Sequence, residues 1–98
     1  MGSTTVFSTQ MLEFKGGRLI HDIDGGREVT IGPEPIVIGR DPACGLVIAE
    51  SGVSSMHAEL MATPTGVRLR DLGSKNGTWV GDLRISEAYL TTSTSFFV

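Results

Sequence analysis

Only one cysteine, Cys44, occurs in the 98 residues, so no internal disulfide can form. The chain has to hold together by packing, which suits a reducing, cytoplasmic compartment. Aromatic residues make up only 6% of the sequence, and eight Lys and Arg against eleven Asp and Glu leave a net charge of -3 with no run of like charge. That is not the footprint of a nucleic-acid-binding protein. No apolar stretch approaches the ~18 residues of a membrane span. The start, Met1-Gly2-Ser3-Thr4-Thr5, lacks the basic and then apolar segments of a secretory signal. These absences predict a soluble, unexported chain. Helical i, i+3, i+4 spacing is missing too, and a mass of 10.4 kDa with 40% hydrophobic residues supports one modest core rather than a multidomain enzyme.

What the sequence does have is punctuation and β-branching: thirteen Gly, four Pro, and Thr, Val and Ile as about a quarter of all residues. Short apolar bursts between turn residues predict strands at Gln10 to Phe14, Arg18 to Ile23, Glu28 to Ile31, Ile36 to Gly39, Leu46 to Ile48, His57 to Ala62, Val67 to Leu72, Thr78 to Val80, Leu83 to Ile85 and Phe96 to Val98. The expected fold is all-β, an antiparallel β-sandwich. Gly16-Gly17, Gly25-Gly26, Gly81-Asp82 and Thr63-Pro64-Thr65-Gly66 read as turns, and Lys75-Asn76-Gly77 carries the strongest short hairpin signal. Residues 1–8 read as a flexible N-terminal segment and 9–98 as the domain. The apolar run Phe96-Phe97-Val98 stops without a polar tail, as in a chain cut from a longer protein.

Three segments are richer than turns need to be: Gly39 to Gly45, Ser51 to His57, and Asp71 to Thr78. Two strands of about six residues join the second to the third, so a hairpin returns the chain to the same end. Only Leu46-Val47-Ile48 separates the first from the second, a span of roughly 10 Å at ~3.3 Å per residue. All three can share one rim, carrying Arg40, Ser54, Ser55, Lys75 and Asn76. A guanidinium fork that matches phosphate oxygens, hydroxyl donors, an ammonium and an amide able to pair with peptide groups together make a polyanion site in miniature.

At these residues the sequence resembles the forkhead-associated (FHA) domain family of phosphothreonine-peptide readers. The family pattern is Gly-Arg, then Ser-x-x-His, then Asp-x-Gly-Ser-x-Asn-Gly-Thr, matched here by Gly39-Arg40, Ser54 to His57 and Asp71 to Thr78. The resemblance implies an eleven-strand sandwich, about ten strands of which are countable here, with the site on one rim of loops. It implies that Arg40 and Ser54 grip the phosphate with Lys75, and that Asn76 holds the peptide backbone. Ser55 stands where the family often has Arg or Asn, which lowers the expected affinity. Gly39, His57, Ser74, Gly77 and Thr78 match structural positions that support the site. The family's last strand normally closes the sheet beside the first. Its expected absence here predicts an open edge, which a second copy in a homo-oligomer or the N-terminal segment could cover.

The implied function is phosphothreonine-dependent binding of a partner marked by a Ser/Thr kinase, without catalysis, cofactor, metal or nucleic acid. The segment Ser86 to Leu90 resembles bacterial regulators in which such domains precede ATPase modules of transcription activators. The alternative is a phosphate-independent β-sandwich scaffold, in which Arg40 would be tied to Asp41 or Glu50. Ser54, His57 and Asp71 contain the ingredients of a hydrolase triad, but neither a nucleophile elbow nor a deep pocket is expected on a sandwich rim. Two His and one Cys cannot complete a closed zinc site. Cys44 is expected to pack in its loop, His21 to lie on a strand surface, and the sequon Asn76-Gly77-Thr78 to be incidental.

Overall fold

The structure is a computed structural model that describes residues 10–21 and 26–98; the expected flexible segment, the end of the second strand and the first glycine of Gly25-Gly26 lie outside them. The eleven strands are β1 Met11–Lys15, β2 Arg18–His21, β3 Arg27–Thr30, β4 Ile36–Gly39, β5 Leu46–Val47, β6 Ala58–Thr63, β7 Gly66–Asp71, β8 Thr78–Val80, β9 Leu83–Ile85, β10 Glu87–Leu90 and β11 Thr94–Phe97. They form a six-stranded sheet, β3-β2-β1-β11-β8-β9, and a five-stranded sheet, β10-β7-β6-β4-β5. Every pairing is antiparallel except β4 with β5. No described helix is long and apolar enough to cross a membrane.

Alternation builds the sandwich. In β1 Leu12 and Phe14 turn inward while Met11 and Lys15 face solvent, and Leu19 continues that face on β2. Ile38, Leu60 and Leu69 answer from the second sheet, and Phe96 and Val98 complete the core. The same alternation corrects His21: lying two residues after Leu19, it is buried rather than on the surface. Its nitrogens meet Gln10 Oε1 at 3.2 Å and Arg27 at 3.0 Å. Glu59 is also buried, on the other side of the five-stranded sheet, where Arg70 pairs with it at 2.8 Å and Arg68 at 3.5 Å.

Two expectations change here. The uncounted strand is β10, whose sequence Glu-Ala-Tyr-Leu fully buries only Leu90 as it pairs with β7 at the sheet edge. The predicted gap beside β1 is filled: β11 starts two residues earlier than expected, at Thr94, and pairs with β1 from Met11↔Phe97 to Phe14↔Thr94. The described edges are instead β3 and β9, and β10 and β5. No open edge beside β1 remains through which a homo-oligomer could form.

Gly16 and Gly17, at φ 59° and 75°, make the two-residue β1–β2 hairpin that their sequence predicts. Lys75-Asn76-Gly77 is not a hairpin. It lies in the crossover from β7 in one sheet to β8 in the other, where left-handed Gly73 and Gly77, at φ 74° and 95°, shape a wider loop.

Candidate functional site

Three loops leave the same end of the sandwich, between β4 and β5, β5 and β6, and β7 and β8, and backbone bonds fix the first to the second. Arg40 N–H donates to the Ser54 carbonyl at 3.0 Å and Asp41 N–H to that of Ser55 at 3.2 Å. The approach is so close that a Cβ on Gly39 would overlap the Ser55 carbonyl. Glycine is therefore required by proximity rather than by its φ. Cys44 packs beneath, its thiol directed at the same carbonyl at 3.3 Å. Burial foremost, helped by the Asp41 charge and opposed by an Asp41 backbone hydrogen bond, raises the thiol pKa.

The second and third loops are joined by Ser54, Asn76 and His57. Lys75 N–H donates to Ser54 Oγ at 3.0 Å, and Asn76 Nδ2 to the Gly52 carbonyl at 2.9 Å. His57 is fully buried; its Nδ1 accepts from Ser54 N–H at 3.1 Å and its Nε2 faces the Gly77 carbonyl at 2.7 Å. An acceptor at one nitrogen and a donor at the other fix the Nε2–H tautomer. His57 thus ties both loops to the end of β6.

Asp71 organises the third loop. Its Oδ2 accepts from the backbone N–H groups of Gly73 and Ser74, each at 3.0 Å, and its Oδ1 from Ser74 Oγ at 2.5 Å and Thr78 Oγ1 at 2.8 Å. Ser74 Oγ in turn accepts from Gly77 N–H at 2.9 Å, and Trp79 Nε1 donates to the Asn76 carbonyl at 3.0 Å. Burial works to raise the Asp71 pKa, but the Ser74 and Thr78 hydroxyls and the two amides outweigh it and hold the carboxyl below its usual range. Ser54, His57 and Asp71 are not wired as a triad, since the described bonds of His57 run to backbone groups and those of Asp71 to Ser74, Thr78 and Gly73.

What faces outward is a set of donors. Arg40 is exposed, and its Nε donates to the Val53 carbonyl at 2.6 Å. Neither Asp41 nor Glu50 pairs with it among the described residues. Ser54 Oγ already accepts from Lys75, which leaves its proton for another acceptor. Ser55 and the Lys75 side chain are exposed beside it. Asn76 is half-buried beside them, its amide donating to the Gly52 carbonyl of the protein itself.

Residues 36–96 match the family model of the FHA domain. The chain belongs to the FHA domain family. This FHA domain is 36% identical over 73 residues to the FHA domain-containing protein PS1 of Arabidopsis thaliana, covering 72% of this chain and 5% of PS1. It is 33% identical over 63 residues to the FHA domain-containing protein FhaB of Mycolicibacterium smegmatis, covering 64% of this chain and 41% of FhaB. It spans less than half the length of either relative. Among solved structures, Mycobacterium tuberculosis EmbR in complex with a low-affinity phosphopeptide is 27% identical with a TM-score of 0.67, over 87% of this chain and 24% of EmbR. FHA domains are binding modules.

Asp71 is the supporting residue that sequence reasoning undervalued: it opened the third motif and was weighed as a triad ingredient, but was not counted among the residues that support the site. An Asp two residues before Gly-Ser is the pattern of a carboxylate that caps the backbone of its own turn. The Val53 carbonyl that aims Arg40 is a backbone group and leaves no mark in the sequence.

Proposed function

We propose that this FHA domain binds threonine-phosphorylated peptides through Arg40, Ser54, Ser55, Lys75 and Asn76, supported by Gly39, His57, Ser74, Gly77 and Thr78. The observation that carries the proposal is Arg40: it is exposed, its Nε is anchored on the Val53 carbonyl, and its backbone N–H bonds Ser54, whose hydroxyl accepts from Lys75 N–H and keeps a proton to give. A phosphate brings a charge of about -1.5 to -2 and three acceptor oxygens. Each charge-assisted bond to it contributes on the order of 1.5–3 kcal/mol where water is excluded. Burying the threonine methyl adds about 0.8 kcal/mol, close to a fourfold preference over phosphoserine before any steric rejection. The Gly52 carbonyl that Asn76 engages is the same chemical partner that a peptide backbone would present.

The domain serves a larger cytoplasmic protein, of bacterial regulatory type, that acts downstream of a Ser/Thr kinase in signalling or transcription control. Its role is recruitment: the kinase marks the partner and the rim reads the mark. The test is a titration of the labelled domain with one degenerate peptide library in phosphothreonine, phosphoserine and unmodified forms, repeated with Arg40→Ala. Binding confined to phosphothreonine, with amide shifts at residues 40, 54, 55, 75 and 76 and loss in the variant, is expected. Binding that ignores the phosphate overturns the proposal in favour of a scaffold.

A further inference from the structure

Two serine hydroxyls stand side by side on the rim and differ in what engages them. Ser54 is half-buried and its Oγ accepts from Lys75 N–H at 3.0 Å, whereas Ser55 is exposed and no bond among the described residues engages its hydroxyl. The Ser55 backbone is nevertheless fixed. Its carbonyl receives Asp41 N–H at 3.2 Å and the Cys44 thiol at 3.3 Å, and the Ser54 carbonyl receives Arg40 N–H at 3.0 Å. Arg40 Nε meets the Val53 carbonyl at 2.6 Å. Val53 precedes Ser55 by two residues, a span of at most ~7 Å that a guanidinium and a phosphoseryl side chain close between them. On the other side, Ser54 holds the backbone of Lys75, whose side chain is exposed. Neither cation has a carboxylate partner among the described residues, and Asp41, which borders the loop, is turned to Ala43 N–H at 2.8 Å. Ser51, exposed in the same loop, has no such tie to the first loop among the described residues. Next to Ser55, Met56 is 50% exposed, an apolar side chain that the core does not use.

We infer that Ser55 is a phosphorylation site and that its phosphate closes the rim against phosphothreonine partners. The inference rests on the proposed phosphothreonine binding and gives that site a regulator. The step is a phosphoryl transfer from ATP by a Ser/Thr kinase. The bond from the γ-phosphorus to its bridging oxygen breaks, a new bond forms to Ser55 Oγ, ADP leaves, and the hydroxyl proton passes to the kinase's base. The exposed hydroxyl is the acceptor, and Met56 gives the enzyme an apolar handle beside it. The phosphate brings a charge of about -1.5 to -2, enough to neutralise Arg40 and Lys75 together. Because it is attached to the loop, it meets those donors at an effective concentration in the millimolar range, and an incoming peptide has to displace it.

The experiment compares the unmodified chain, the chain carrying phosphoserine at position 55 from its synthesis, and the latter after phosphatase treatment. Each is titrated with the degenerate phosphothreonine library, with circular dichroism as the check on folding, and phosphorus NMR follows the Ser55 phosphate itself. The modified chain is expected to bind about tenfold more weakly or worse, and phosphatase to restore the affinity. The phosphorus resonance should differ from that of the urea-unfolded chain and return toward it in Arg40→Ala. In parallel, the protein is isolated from the cells that make it, with phosphatases inhibited, and mass spectrometry is expected to find phosphate on Ser55. Unchanged affinity in the modified chain, a phosphorus resonance indifferent to Arg40, or native protein without phosphate at Ser55 overturns the inference and leaves the proposed function standing. Failure of the unmodified chain to bind any phosphothreonine peptide overturns the proposed function, and this inference with it.

Discussion

Asp71→Asn keeps the shape of the side chain and removes its charge, so it isolates the carboxylate that organises the third loop. Four donors converge on Asp71, two amides on Oδ2 and two hydroxyls on Oδ1. An asparagine can place its carbonyl oxygen toward only one pair and presents N–H groups to the other. If the amides keep their acceptor, their bonds pass from charge-assisted to neutral, a loss of about 1 kcal/mol each. The hydroxyls lose their acceptor, and because Asp71 is half-buried, water recovers part of that loss. The sum is about 2–3 kcal/mol of folding stability, measured as a fall in the urea midpoint at unchanged slope. The depressed pKa adds a pH signature. Ionised Asp71 favours the folded state, so its contribution is complete above the unfolded pKa of about 3.9 and is lost as pH falls through the lower folded value. Wild type and variant should therefore differ by a constant amount at neutral pH and converge in acid. A difference below about 0.5 kcal/mol at pH 7, or one that persists unchanged into acid, would refute the carboxylate's role.

Gly39→Ala forces the new Cβ into the Ser55 carbonyl and should cost about 2–4 kcal/mol by separating the first two loops, with a parallel loss of phosphopeptide affinity. Thermal unfolding together with the titration checks both. Ser54→Ala removes a hydroxyl that receives Lys75 N–H and has a proton to give, so phosphothreonine affinity should fall about tenfold while the fold survives, read by calorimetry and circular dichroism. Glu59→Ala leaves the Arg70 and Arg68 guanidiniums without their carboxylate and opens space beneath them, costing about 1–3 kcal/mol in urea unfolding with peptide binding unchanged. Cys44, buried and with a raised pKa, should resist iodoacetamide in the native state and become alkylated only as fast as the domain opens, a rate to be followed by mass spectrometry.

The legible parts of this fold were those in which one local cause dominates. Ile36 to Gly39, Thr78 to Val80 and Leu83 to Ile85 are strands as expected, because apolar runs bounded by turn residues specify them. β10 and the start of β11 escaped because Glu87, Thr94 and Ser95 owe their extended conformation to ladder partners distant in sequence, Arg70 on β7 and the Glu13 to Phe14 stretch of β1. Propensity alone does not reveal such pairing. His21 escaped for a related reason: a polar residue on the inward face of a strand becomes tolerable only when Gln10 and Arg27 supply its hydrogen bonds. The meeting of the three loops followed from hairpin geometry, and the resemblance named the same residues. The Asn-Gly step misled because a left-handed glycine serves a crossover loop as well as a two-residue turn.

The place of β11 has a kinetic consequence. It stands between β1 and β8, so without it the six-stranded sheet separates into a three-stranded meander and the β8–β9 hairpin. Joining the two requires residues 11–14 to find residues 94–97, far away in the sequence. Such a long-range closure slows folding. The loop that receives Ser54 and His57 hangs between β7 and β8, and β8 is tied to the rest of its sheet only through β11. The anion-facing rim therefore depends on a pairing between segments far apart in the chain.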